Sequence, residues 1–341
     1  MSGKDAHLLQ RRALLTGGIG AALTLASGAN AQSGDPPTLA AGDAAAPHWP
    51  AIERIPLWPR LRPRSRRGLP RPDPTMNGPA EARELWIRGV ARPELHVFRP
   101  ARASGSSLLA LPGGGYDFLS VQNEGLDVAH RFNAARTTVF ILTYRLPQEG
   151  WRDPHLVPLQ DAQRAMRLIR SHADRFDVRP GDLGVVGFSA GGHLAADLST
   201  SFDEVTYRPV DEADRLSARP AFAGLIYPVI HIRGGSGEKL LGPNPSPALT
   251  EARSPLGKLS AATPPSFLVH AIDDGLVPVE DSLDWIAACR TKKLPVEAHI
   301  FDQGGHGFGL HLPESLPGSR WPDLFELWMR KLISDRKAAT R

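Results

Sequence analysis

The sequence predicts an α/β fold in one domain, with a mostly parallel central sheet and helices on both faces. Three observations carry that expectation. Runs such as Thr138-Val139-Phe140-Ile141-Leu142 are apolar or β-branched throughout, as strands buried on both faces should be. Helical patterns alternate with such runs from about residue 83 onward, the signature of a parallel sheet. Glycine-rich or aspartate-bearing loops follow directly on several strand ends, where α/β sheets gather their active groups. Composition permits this: of 341 residues 41% are hydrophobic and 22% charged, with 33 Gly, 32 Pro and one Cys. That apolar fraction excludes a disordered chain, and a lone cysteine excludes a disulfide scaffold or a cysteine-based zinc ribbon. Lys+Arg 40 against Asp+Glu 36 leaves +4, too small an excess to argue for a nucleic-acid partner.

Residues 1–31 read as an export signal. Arg11-Arg12 runs into an uncharged segment, Ala13 to Ser27, that closes on Ala29-Asn30-Ala31, small residues at both positions of an A-x-A cleavage site. The segment is shorter than the ~20 residues of a membrane span. It resembles a bacterial Tat signal peptide, which implies a periplasmic or secreted protein with no stable membrane insertion after cleavage. Residues 32–79 hold eleven prolines and a basic run of Arg60, Arg62, Arg64, Arg66, Arg67 and Arg71, and read as a solvated leader. Within it Ile55-Pro56-Leu57-Trp58-Pro59 is apolar enough to dock on the domain. The catalytic domain is expected over 80–341.

There, Leu85-Trp86-Ile87 and Leu95-His96-Val97-Phe98 read as an opening pair of strands, and Ser107 to Leu111 as a buried strand ending at Pro112. A helix around Gly125 to Asn133 and a strand over Thr137 to Tyr144 follow. Ala162, Ala165, Met166, Ile169 and Ala173 form one helical stripe. Asp182 to Gly187 is a strand, Gly191 to Ser199 a helix, and Ala223 to Val229 and Ser266 to Ala271 are buried strands. Val279 to Cys289 is a helix, Val296 to Phe301 a strand, and Pro322 to Ile333 the last helix. The segments 200–220 and 232–262 are polar and Pro/Gly-rich, with no long apolar lid.

Gly187-Phe188-Ser189-Ala190-Gly191 fits G-x-S-x-G between an apolar strand and a helix, the context in which that motif lifts a serine hydroxyl above the sheet. A serine needs a base to take its proton and a third group to orient that base. His306, flanked by Gly305 and Gly307 directly after a strand, is the candidate base; His193, His270 and His299 fall within elements, and His231 just after one. The acid should lie between them at a strand end, where Asp273 and Asp274 stand together. Asp274, three residues before Val277-Pro278, suits a turn aimed at His306, and Asp273 then caps the loop. Gly113-Gly114-Gly115 is placed to supply N–H groups to a developing oxyanion, with a further N–H from Ala190. No metal-ligand cluster is visible and no cofactor is expected.

Pro112-Gly113-Gly114-Gly115-Tyr116, the elbow with Gly192-His193, Asp274-Gly275-Leu276-Val277-Pro278 and Gly305-His306-Gly307-Phe308 resemble the secreted acetyl-esterase and acetylxylan-esterase branch of the α/β-hydrolases, over roughly residues 52 to 335. The resemblance implies an α/β-hydrolase fold and a serine esterase acting on short-chain esters, those of carbohydrates such as acetylated xylan among them. It implies Ser189, Asp274 and His306 as catalytic residues, Gly114, Gly115 and Ala190 as oxyanion donors, and Tyr116 lining the acyl side. Lipase-like relatives carry His before the glycines; Pro112 stands here. The readings set against this are a prolyl-oligopeptidase-type peptidase, for whose propeller the chain leaves no space, and a non-catalytic carbohydrate-binding homologue, which loses to an intact set of reactive side chains.

Overall fold

The computed structural model describes residues 48–59, 69–78 and 83–339. The export signal and the arginines from Arg60 to Arg67 lie outside the described residues.

The strands are β1 (Arg54–Pro56), β2 (Asp73–Asn77), β3 (Glu84–Arg88), β4 (Glu94–Phe98), β5 (Ser107–Leu111), β6 (Leu119–Ser120), β7 (Thr138–Thr143), β8 (Leu183–Phe188), β9 (Ala223–Ile226), β10 (Ser266–Ala271) and β11 (Val296–Phe301). The helices are α1 (Asp127–Ala134), α2 (Val157–Ser171), α3 (Ser189–Thr200), α4 (Gly234–Leu241), α5 (Pro247–Ala252), α6 (Glu280–Thr291) and α7 (Trp321–Ala339). Eight strands form the main sheet in the order β1-β4-β7-β5-β8-β9-β10-β11. From β7 to β11 every pairing is parallel, while β4 and β1 extend one side antiparallel. The central strands β5, β7, β8, β9 and β10 are buried at every residue, as unbroken apolar runs require.

The chain leaves β5 for β7 on one side and returns to β8 on the other. The carboxyl ends of β5 and β8 therefore flank a topological switch point, where an α/β sheet opens a crevice. Leu111, the last residue of β5, pairs with Gly187, so the glycine run and the serine turn leave the sheet side by side.

Two expectations change. The segments Leu85–Ile87 and Leu95–Phe98 do form strands, but they do not pair with each other. β3 joins β2 and β6 in a small antiparallel sheet, and β4 enters the main one. The chain turns between them at Gly89 (φ +68°), where the Gly89 and Val90 amides both donate to the Glu149 carboxylate, at 2.5 and 3.0 Å. That distant tether pulls the two strands apart.

The apolar piece of the leader also does more than dock. It supplies edge strand β1, paired antiparallel with β4, and Leu57 is fully buried; β2, also from the leader segment, pairs with β3. Helix α2 accommodates this by burying two faces. The stripe of Ala162, Ala165, Met166 and Ile169 packs in the core. Asp161 and Arg164 are buried elsewhere on the helix. Asp161 accepts from Trp58 Nε1 (2.9 Å), from the Arg145 guanidinium (2.7 Å) and from the Arg145 backbone amide (2.9 Å). Arg164 donates to the Leu57 carbonyl and pairs with Asp211 and Asp214.

Because Arg145 and Asp161 are both buried, removing the carboxylate strands a cation in the interior. Asp161→Ala is expected to lower the free energy of unfolding by about 3–5 kcal/mol, read from urea denaturation; a loss below ~1 kcal/mol would show that this pair does not hold the leader strand.

Candidate active site

β8 runs into α3 without a connecting residue, and the turn is made by Ser189 itself at φ +52°. A left-handed serine costs about 1–2 kcal/mol and persists only where its surroundings leave no alternative. Here glycines supply that constraint. A Cβ on Gly187 would overlap the Gly191 carbonyl, and one on Gly191 would overlap the Leu111 carbonyl. A Cβ on Gly113 would lie 2.6 Å from the Phe188 carbonyl and 2.9 Å from Ser189 Cβ.

The three side chains expected from distant loops meet. Ser189 Oγ lies 2.9 Å from His306 Nε2, and His306 Nδ1 lies 2.7 Å from Asp274 Oδ2. A carboxylate can only accept, so Nδ1 carries the imidazole proton and Nε2 is left to accept from the serine hydroxyl. The Asp274 side chain is fully buried. Burial alone would raise its pKa, but hydrogen bonds from His270, His306 and the Val277 amide hold it well below the usual carboxylate range. Asp274 Oδ1 accepts from the Leu276 and Val277 amides, each at 2.9 Å. Asp273 caps the other loop, accepting from the Gly305 amide at 2.7 Å.

The donor loop is aimed by its own carbonyls. In a trans peptide C=O and N–H point in opposite directions. The Pro112 carbonyl accepts from Tyr144 Oη (2.7 Å), the Gly113 carbonyl from the Ser120 amide (3.1 Å), and the Gly114 carbonyl from the Asp117 (2.9 Å) and Phe118 (3.2 Å) amides. Three successive N–H groups are thereby directed. The Gly113 N–H is consumed by Glu124 Oε2 at 2.6 Å, while those of Gly114 and Gly115 meet no acceptor among the described residues. Ala190 sits in the first turn of α3, where backbone N–H groups have no intrahelical partner. Tyr144, Ser120 and Glu124 thus support a loop that has Pro112 where lipase-like chains have histidine.

Tyr116 differs from expectation. Its side chain is 1% exposed and its hydroxyl contacts His193 Nδ1 at 2.7 Å, so it packs beneath the donor loop instead of offering a face to the acyl group. The other histidines find structural partners. His193 Nε2 donates to the Arg253 carbonyl (3.0 Å), and burial lowers its pKa, keeping it neutral. His231 pairs with Asp284, and His299 lies in edge strand β11 beside Glu297. His270 is in the core, as its place in a strand suggests, yet it also touches the site. Nε2 donates to Asp274 Oδ2 (3.2 Å) and the Val277 carbonyl (3.0 Å), and Nδ1 accepts from Ser282 Oγ (2.8 Å). Tyr227, following β9, packs its ring 5.0 Å from the His306 ring. Among the described residues no group of His, Cys, Asp and Glu could hold a metal ion.

A strained serine on a strand-to-helix turn, hydrogen-bonded to an imidazole oriented by a carboxylate and facing open backbone donors, can attack a carbonyl and stabilise the resulting oxyanion. The sequence profile of the alpha/beta hydrolase fold matches residues 108–310. The chain belongs to that family. An acetyl ester-xyloside bifunctional hydrolase from Caldicellulosiruptor lactoaceticus superposes with a TM-score of 0.66 at 34% identity, over 83% of this chain and 97% of that one. The acetylxylan esterase of Xylanibacter ruminicola is 31% identical over 66% of this chain and 45% of its own length. The endo-1,4-beta-xylanase B of Butyrivibrio fibrisolvens is 34% identical over 62% of this chain and 34% of its own length. The chain thus spans less than half the length of these two curated relatives.

In this alpha/beta hydrolase the glycine contacts are the most exacting feature of the site. Gly191→Ala pushes a methyl into the Leu111 carbonyl and displaces the serine. A shift of about 1 Å costs on the order of 10²-fold in rate, which labelling of Ser189 by a small fluorophosphonate measures; an unchanged labelling rate would show the elbow is not constrained by this contact.

Proposed function

We propose that this alpha/beta hydrolase is a serine carboxylic-ester hydrolase acting on short-chain esters, acetyl groups on carbohydrates foremost, through an acyl-enzyme. The observation that carries the reading is the relay from Ser189 to His306 to Asp274, at 2.9 and 2.7 Å, beside the unengaged amides of Gly114 and Gly115. Ser189 Oγ attacks the carbonyl carbon as its proton passes to His306 Nε2. Asp274, ionised and desolvated, stabilises the imidazolium. The oxyanion is received by the amides of Gly114, Gly115 and Ala190. The carbon–oxygen bond to the alcohol breaks, the alcohol leaves with the proton from His306, and water repeats the sequence on the acyl-enzyme to regenerate the serine.

The placement of one helix supports a short acyl group. Helix α4 stands against the donor loop, with Ser236 Oγ 3.8 Å from where a Cβ on Gly115 would sit. It is anchored there by Lys239 on Asp117 at 2.7 Å. The carbohydrate alcohol is supported by the names of the matched acetylxylan esterase and acetyl ester-xyloside hydrolase. Export to the periplasm or beyond belongs to the same reading and rests on the twin-arginine signal; no described helix is long and apolar enough to cross a membrane.

Turnover should be greatest on nitrophenyl acetate and fall steadily to the decanoate, with acetate released from acetylated xylo-oligosaccharides. Ser189→Ala abolishes it, and Asp274→Asn lowers kcat by about 10⁴-fold through loss of the working tautomer. Cleavage of amides but not esters would replace the reading with a peptidase, and no turnover of either would leave a binding protein.

A further inference from the structure

Glu124 lies in the turn Gln122–Leu126 that leads into α1, just before the helix expected from the sequence around Gly125 to Asn133. It is 3% exposed and each carboxylate oxygen is used. Oε2 accepts the Gly113 N–H at 2.6 Å, in the loop that presents the Gly114 and Gly115 amides. Oε1 accepts the Tyr227 O–H at 2.8 Å, and the Tyr227 oxygen in turn accepts the Gly309 N–H at 2.9 Å, in the loop that carries His306. The Tyr227 ring also packs against the rings of His306 and Phe308. The neighbouring Asn123 repeats the connection, its Nδ2 donating to the Gly307 carbonyl at 2.8 Å. One turn therefore touches both halves of the site. We propose that Glu124 is a positioning residue that sets the oxyanion-donor loop and the histidine loop relative to each other, an inference that rests on the acyl-transfer reading above.

Stability alone does not account for a carboxylate here. No cation pairs with Glu124 among the described residues. The groups facing it are the Gly113 amide, the Tyr227 hydroxyl, the like charge of Glu84 on β3, and Tyr144, whose hydroxyl is turned to Pro112. Burial pushes its pKa up to about 7, against hydrogen bonds that lower it. A group whose pKa is raised on folding stabilises fully below its ordinary value of 4.5 and loses that contribution as pH rises through about 7. Above neutrality the ionised Glu124 is therefore held at a cost, so a neutral glutamine, although its NH2 must face one of the two donors, should lose less stability there than at acid pH. A residue that costs stability when ionised yet orders reactive groups is expected where activity and stability compete.

The test compares wild type, Glu124→Gln, Tyr227→Phe and the double variant. The readouts are the rate of Ser189 labelling by a fluorophosphonate, kcat and KM for nitrophenyl acetate, and the urea midpoint below and above neutrality. Removing one oxyanion donor outright costs about 10²–10³ in kcat, so misplacing the loop should cost roughly tenfold or more, with KM moved by less than about threefold. The loss of midpoint in Glu124→Gln should be smaller above neutrality than at acid pH. Tyr227→Phe should slow both rates as well, and the double variant should be no slower than the slower single one, as for groups acting in one chain. Wild-type rates in Glu124→Gln would overturn the proposal, as would rate losses that rise and fall with the loss of midpoint across pH. Should Glu124→Gln fail to fold, a wild-type labelling rate in Tyr227→Phe would overturn it alone. Labelling needs the serine and its donors but no particular ester. Normal labelling of wild type without acetate release would therefore sink the substrate reading and leave this inference testable.

Discussion

The parallel pairing of β5 with β8 at the centre of the sheet is the constraint from which the site follows. Neighbouring strands lie under 5 Å apart, and the two chains leave them at the same level, past Leu111 and Gly187. At that spacing side chains between the two exits would collide. Glycine at 113, 187 and 191 removes the offending Cβ atoms and lets one backbone lie on the other. Each glycine costs about 0.5–1 kcal/mol of chain entropy, a cost offset by strands buried at every residue on either side. The proposed nucleophile and its proposed oxyanion donors are neighbours because their strands are hydrogen-bonded.

Around that crevice three imidazoles take separate tasks according to their access to water. His306 is partly exposed, with Nδ1–H directed to Asp274 and Nε2 to the serine. Bound between a buried anion and the solvent-facing side of the site, it is placed for the proposed role of taking a proton from Ser189 and giving it to a departing alcohol. His193 and His270 are buried, and each has one nitrogen donating to a carbonyl or carboxylate and the other accepting a hydroxyl proton. Both nitrogens of each ring are engaged by the protein, so both serve as rigid spacers. His193 ties Tyr116, one residue beyond the donor loop, to the C-terminal end of α5, and His270 holds the same Asp274 oxygen that orients His306.

Ser189, His306 and the choice of Asp274 over Asp273 were legible in the sequence because each task leaves a local trace. A strained turn needs glycines two residues either side, a mobile base needs glycine flanks, and an acid at a strand end needs a following turn. The supports left no such trace. Glu124 stands just before an expected helix with no motif around it, and its meaning depends on Tyr227, 103 residues away. Tyr227 itself continues an apolar strand pattern. The separation of β3 from β4 has the same origin, since both match the strand pattern and the carboxylate that parts them is 60 residues downstream of Gly89. Tyr116 shows the converse error: adjacency to the donor loop in sequence suggested contact with substrate, whereas its φ of +61° marks a turn, and the ring ends in the interior against His193.

The proline-rich approach to the domain belongs in the same account. Composition assigns residues 32–79 to a leader with only Ile55 to Pro59 docked on the domain, yet Trp58 fixes Asp161, and Asp161 fixes the backbone amide of Arg145. The residue before it, Tyr144, is the one whose hydroxyl holds the Pro112 carbonyl and so turns the Gly113 amide toward Glu124. A buried anion on α2 thus sets the register at which β7 ends, and the end of β7 sets the height of the donor loop. Edge strand β1 completes this support by covering β4, which would otherwise leave the antiparallel side of the sheet open beside it. The segment is part of the catalytic domain in the physical sense, because the geometry of the oxyanion donors is built on the layer it completes.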